Sequence, residues 1–130
     1  MSDYIDAFAF PIAISSLETY KIAAQAVAEI YLEHGAKDYF EYVGDDMHRD
    51  GTLPFPGLFN IDKNETVVFG WIAYDSKDIR DLVNQKIEND PRLPELLAPI
   101  VNPEQPIFEP DRMAFGGFKS LIKCSAKKDG

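Results

Sequence analysis

The sequence is short of cysteine, histidine and positive charge, and each shortage excludes something. One cysteine, Cys124, stands among 130 residues. That excludes an internal disulfide framework and any C-x-x-C redox pair, and a lone thiol suits a reducing compartment. Lysine and arginine number 13 against 22 acidic residues, for a formal charge of -9. A general nucleic-acid binder needs a basic face to neutralise phosphates, so no nucleic-acid partner is expected. No window approaches the ~20 consecutive apolar residues of a membrane span, so no membrane partner is expected either. The start lacks a basic region and Pro11 interrupts its apolar stretch, which argues against a secretory signal. A cytoplasmic protein is the expectation. The phosphate-loop, G-x-G-x-x-G and G-x-S-x-G motifs are missing, and no cofactor is expected.

What is present is globular. Hydrophobic residues make up 45% and charged residues 27%, a composition that builds a core. The length suits one domain, read as residues 1–124 with a polar tail at 125–130. Tyr4 to Ile12 reads as a strand closed by Pro11. Ser15 and Glu18 form a capping box for a helix from Ser16 to His34, ended by Gly35. Its inner face is Leu17, Tyr20, Ala24, Val27, Tyr31 and His34. Asp38 to Val43 is a second strand, followed by a long connection from Gly44 to Asn60. Thr66 to Tyr74 is a third strand. Asp75 or Ser76 caps a second helix whose inner residues are Ile79, Leu82, Val83 and Ile87. Asp90-Pro91 ends it, a short helical segment follows at Leu93 to Leu97, and four prolines keep Pro99 to Pro110 irregular. Arg112 to Ile122 is the last strand.

Strand, helix, strand, strand, helix, strand is the ferredoxin-like βαββαβ order, an α+β fold with two helices on one face of an antiparallel sheet. The other face should then alternate to polar residues, because it would meet water. It does not. Val67, Phe69, Trp71 and Ala73 alternate with Val68, Gly70, Ile72 and Tyr74, and both sets are apolar. An exposed face of this kind exceeds the few hundred Å² that a monomer tolerates. The expected cover is a second copy of the same face across a two-fold axis, a homodimer forming a dimeric α/β barrel. The alternative cover is the Pro99 to Pro110 segment.

Eight stretches, among them Tyr4-Ile5-Asp6-Ala7-Phe8, Glu41-Tyr42-Val43-Gly44-Asp45-Asp46, Thr66-Val67-Val68-Phe69-Gly70-Trp71-Ile72 and Arg112-Met113-Ala114-Phe115-Gly116-Gly117-Phe118, occur in an order that resembles the family catalogued as domain of unknown function 1428, the YbaA-like proteins. The resemblance covers nearly the whole chain. Ala7 departs from it, standing where a glycine is common. The resemblance implies membership of the dimeric α/β-barrel superfamily, whose members include cofactor-independent oxygenases and haem-degrading enzymes that hold ligands between helices and sheet. It implies no established activity. A haem-degrading site would place an asparagine on the first strand and a histidine at the second helix, and this chain has Asp6 and no such histidine.

The candidate pocket residues are Asp6, Trp71, Arg80, Asn84 and Arg112. Asp6 is the one charge in an apolar strand, and a buried carboxylate needs a partner or a raised pKa. Arg112 is the candidate partner, giving either a register-fixing ion pair or a general base in a pocket. Trp71, Arg80 and Asn84 could stack on and hydrogen-bond a flat ligand, or serve as core and solvated groups. A small-molecule binder leads, with an oxygenase-like enzyme and a non-catalytic interaction or stress protein as alternatives. Asp46, His48 and Asp50 could ligate a divalent ion, although a solvated acidic turn is the commoner use of such a loop. Phe115-Gly116-Gly117-Phe118 is similar to an RNA-stacking motif, but its glycines suit close backbone approach.

Overall fold

The structure, a computed structural model, describes residues 3–102 and 104–126. The expected tail at 125–130 lies outside the described residues from 127 onward. Four strands, β1 (Tyr4–Ala13), β2 (Asp38–Val43), β3 (Glu65–Tyr74) and β4 (Ala114–Lys119), form one antiparallel sheet in the order β2-β3-β1-β4. The two long β1 and β3 strands pair over ten residues, from Tyr4 opposite Tyr74 to Ala13 opposite Glu65. Helices α1 (Leu17–Glu33) and α3 (Lys77–Glu88) lie on one face, with α2 (Pro56–Phe59) and α4 (Arg92–Leu97) as short additions. The ferredoxin-like arrangement is therefore present.

The core follows from strand periodicity. Phe8, Phe10 and Ile12 on β1 and Val68, Ile72 and Tyr74 on β3 share the helix face and are buried with Val83 of α3. Tyr20 of α1 and Phe108 each meet the Phe10 ring edge-on, at 5.3 and 5.0 Å between centroids. Phe108 belongs to the proline-rich stretch, and Ile100 beside it is buried too. The Pro99 to Pro110 segment thus packs on the helix side. It is not the cover of the open face.

Helix ends correct several expectations. The Ser15 capping box does not form. The chain turns through a 3-10 segment at Ile14–Ser16, and Ser16 stands at the cap with φ -99° and ψ -2°, so its hydroxyl is not aimed at the helix amides. Ser76 caps α3 from an extended backbone, accepting from the Ile79 amide at 3.2 Å. Leu82 is exposed rather than inner. The last strand begins at Ala114, because Pro110–Arg112 is a 3-10 turn.

The open face carries Phe40, Tyr42, Phe69, Trp71 and Phe118, all but Trp71 classed as exposed. Trp71 lies at the centre of the cluster, 5.5 Å from Tyr42 and 5.6 Å from Phe40 between ring centroids. Only one end is covered. There the 44–60 connection folds over the sheet and sets Phe55 6.0 Å from Phe69, edge to face.

Gly70 is required on the helix face. A Cβ there would stand 2.6 Å from the Phe40 carbonyl, 2.7 Å from the Phe8 ring and 2.9 Å from Glu41 Cγ. Gly70→Ala is expected to cost about 1–3 kcal/mol. Gly116→Ala, which meets only ordinary contacts with Phe118, is expected to stay within about 0.5 kcal/mol in a urea titration of both variants.

Candidate functional site

Three of the five expected pocket residues come together. Asp6 lies on the helix face of β1, flanked by Ile72 and Gly117. Arg80 and Asn84, one helical turn apart on α3, stand over it. The Arg80 guanidinium is 3.6 Å from Asp6 and donates to the Tyr4 hydroxyl at 2.8 Å. Gly117 makes this possible, since a Cβ there would strike the Tyr4 hydroxyl and press on Arg80. Asp6 is wholly buried, and neither its oxygens nor the Tyr74 hydroxyl completes a hydrogen bond. Burial pushes the Asp6 carboxyl above its ordinary range, against the opposing pull of Arg80 and of the nearby Asn84 and Tyr74 side chains.

The other two residues stand elsewhere. Trp71 faces the open side, because it neighbours Ile72 on a strand whose side chains alternate. It cannot share a cavity with Asn84. Arg112 is not the partner of Asp6. It pairs with Glu65 at 2.8 and 3.2 Å and with Glu109 at 3.2 Å. Glu65 is opposite Ala13, seven residues along β1 from Asp6, or roughly 23 Å at the rise of a strand.

The cavity between helices and sheet has a different lining. An inner space of about 410 Å³ lies under α1 and α4, walled by Phe8, Phe10, Tyr31, Ile72 and Phe108. A groove of about 550 Å³ runs between α1 and the edge strand β2. The two share Tyr20, Ala24 and Tyr39. Glu41 lines the groove and accepts a hydrogen bond from the Tyr20 hydroxyl. Burial raises the Glu41 pKa, and its contacts with Tyr20 and Tyr39 act in the opposite direction. The Tyr20 and Tyr39 phenols are themselves held neutral far up the scale, by burial first and the neighbouring carboxylate second.

Sequence reading missed Glu41. Its signal was there: Tyr39, Glu41 and Val43 share one face of β2, so Glu41 is a carboxylate on a helix-facing position.

A second polar cluster joins the ends of α1 and α3. Glu33, His34 and Asp90 bring ligand-type atoms within 4.8 Å of one another. The Arg92 guanidinium already occupies the middle, bonded to Asp90 and Glu33, while His34 Nε2 is 2.7 Å from Asp90. Arg92 first, and then His34, hold the Asp90 carboxyl well below the usual range. The loop residues Asp46, His48 and Asp50 are not among the described groups of three that converge.

These features define a ferredoxin-like α+β protein with a hollow between helix layer and sheet. Solved structures share that fold. A NIPSNAP family protein of unknown function from Agrobacterium tumefaciens superposes with a TM-score of 0.54 at 16% identity, over 92% of this chain and 88% of that one. An uncharacterized NIPSNAP domain protein from Burkholderia xenovorans gives 0.54 at 15%, over 95% and 99%. The family model described as protein of unknown function (DUF1428) matches residues 3–102. The uncharacterized protein YbaA of Escherichia coli K12 is 34% identical over 119 residues, which span 92% of this chain and 97% of YbaA. The chain belongs to the DUF1428 family.

The buried carboxyls fix the direction of a pH dependence. Asp6 and Glu41 titrate above their reference values of 3.8 and 4.5 in the folded state. The folded chain therefore binds more protons than the unfolded one above those values, and stability falls as pH rises. Glu65, Asp75 and Asp90 are shifted down, so their contribution is complete above the same range and is lost only as pH falls through it. The urea midpoint is expected to be higher at about pH 5 than at about pH 8. The double variant Asp6→Asn, Glu41→Gln is expected to flatten that slope, and a wild-type midpoint that rises with pH would contradict the assignment.

Proposed function

We propose that the protein binds a small molecule between α1 and the sheet, in a homodimer whose subunits pack open face to open face. The observation that carries the reading is the pair of adjoining spaces sharing Tyr20, Ala24 and Tyr39. Volumes of about 410 and 550 Å³ lie within the range of small-molecule sites, and the wall is mainly apolar with a few polar groups converging. Asp6, Arg80 and Asn84 line neither space and form a separate polar group beside Ile72. The oxygenase version built on Trp71 and Asn84 loses its geometry, since the two lie on opposite faces of the sheet.

The dimer rests on the aromatic cluster around Trp71. Each ~100 Å² of apolar surface taken from water contributes about 2.5 kcal/mol. Phe40, Phe69 and Phe118 are between 38% and 57% exposed, more than isolated surface aromatics need. No described helix is long and apolar enough to cross a membrane.

Two measurements test these statements. Wild-type protein incubated with a cell metabolite extract and freed of unbound material is expected to retain a molecule detectable by mass spectrometry. Ala24→Phe, which fills the shared segment, is expected to lose it; equal retention by both proteins would place the ligand elsewhere, and retention by neither would remove the binding reading. Light scattering at micromolar concentration is expected to give a dimer mass, and Phe69→Glu to weaken it by about 2 kcal/mol or more. A monomer mass for the wild type would eliminate the sheet-to-sheet dimer.

A further inference from the structure

Resting on the binding reading above, we propose that the inner cavity together with the adjoining groove takes a neutral, planar aromatic molecule bearing a hydroxyl group, and that Glu41, in the groove, is the residue that selects it over an anion. The argument starts from the wall. Aromatic side chains, among them Tyr20, Tyr31, Tyr39 and Phe108, share the wall with aliphatic ones such as Val27, Ile87, Leu93 and Leu97. Flat faces of this kind pack a flat ligand by offset stacking and edge contacts.

Charge then narrows the class. The inner lining holds no lysine, arginine or histidine. Its ionisable groups other than phenols are acidic, Glu88 from α3 and Asp90 beyond it, and Asp90 is already engaged by His34 and Arg92. In the groove, α1 contributes Glu18 and Lys21, both exposed, and β2 contributes Glu41. A phosphate or carboxylate moving past the exposed Lys21 into the inner space leaves water, finds no lysine, arginine or histidine in the inner lining and approaches carboxyl groups, which costs free energy.

The hydroxyl follows from how Glu41 is already satisfied. Its partner is a phenol, Tyr20, and a second phenol, Tyr39, stands beside it. A carboxylate offers about four lone-pair positions, so the Tyr20 and Tyr39 phenols leave room for a further donor. A ligand carrying a hydroxyl on an aromatic ring brings the same donor on the same kind of surface. Gly70 keeps the place open, because a side chain there would collide with Glu41 and Phe8. The carboxyl is thus built into the sheet at a position where the central strand makes space for it.

The test compares 2-naphthol, neutral at about pH 7, with 2-naphthoate, anionic there. Equilibrium dialysis of the wild type is expected to show naphthol bound at least about tenfold more tightly. Glu41→Gln is expected to narrow the gap to about threefold or less. Tyr20→Phe keeps the carboxyl and removes its internal donor. It is expected to bind naphthol more tightly while still rejecting naphthoate, and it serves if Glu41→Gln does not fold. Ala24→Phe is expected to bind neither. Equal or tighter binding of naphthoate, or no binding of either by the wild type, overturns the ligand class. An unchanged gap in Glu41→Gln, or in Tyr20→Phe no gain for naphthol, overturns the role of Glu41 alone. Full naphthol binding by Ala24→Phe overturns the location and with it the binding reading.

Discussion

The constraint on which the rest depends is the ten-residue antiparallel pairing of β1 with β3. These two strands are central and long, and both are apolar on both faces. Their pairing decides at once which residues meet the helices and which meet the opposite side. Phe8, Phe10, Val68, Ile72 and Tyr74 go to the helices, and Trp71 and Phe69 go to the other face. A slip of one residue would exchange the two sets, and with them the core and the aromatic cluster. Hydrophobic burial alone would not prevent that exchange, since both sets are apolar. Polar and small residues set the register. Asp6 must find Arg80, and Gly70 and Gly117 must receive Glu41 and Tyr4 respectively.

The helix layer is packed tightly over one half of the sheet and loosely over the other. Val83 of α3 and Tyr74 of β3 are almost wholly buried, and the Asp6 group is sealed beneath them. Toward β2, α1 lines a groove in which the small Ala24 and Ala28 stand between larger residues such as Tyr20 and Lys21. The inner cavity is roofed by α4 and by Phe108, whose segment crosses from the end of α4 back to the start of β4. The irregular, proline-rich stretch is thus part of the cavity wall.

Much of the fold was legible in the chain, because its strands and helices are long and strongly periodic. β2 was read with its observed limits, and β1 and β3 within a residue at each end. The errors lie where local signals compete. The Ser15 cap fails because the backbone uses a 3-10 turn first, which sequence spacing does not reveal. The last strand was drawn too long at both ends, because Arg112 is as compatible with a 3-10 turn as with a strand and because its pairing stops at Lys119 opposite Tyr4, where β1 begins. Of the candidate site, Asp6, Arg80 and Asn84 converge, since a charge in an apolar strand stands out and Arg80 and Asn84 share a helix face.

By itself, the sequence determined the element order and a sheet apolar on both faces, because these follow from alternation and helical spacing within single segments. Only the tertiary structure decided that Arg80 and not Arg112 meets Asp6, that Trp71 turns away from the helices, and that Glu41 stands with Tyr20 and Tyr39 along the groove. Each of those outcomes depends on strand order and register, which bring together residues as distant along the chain as Asp6 and Arg80. No local pattern carries that information.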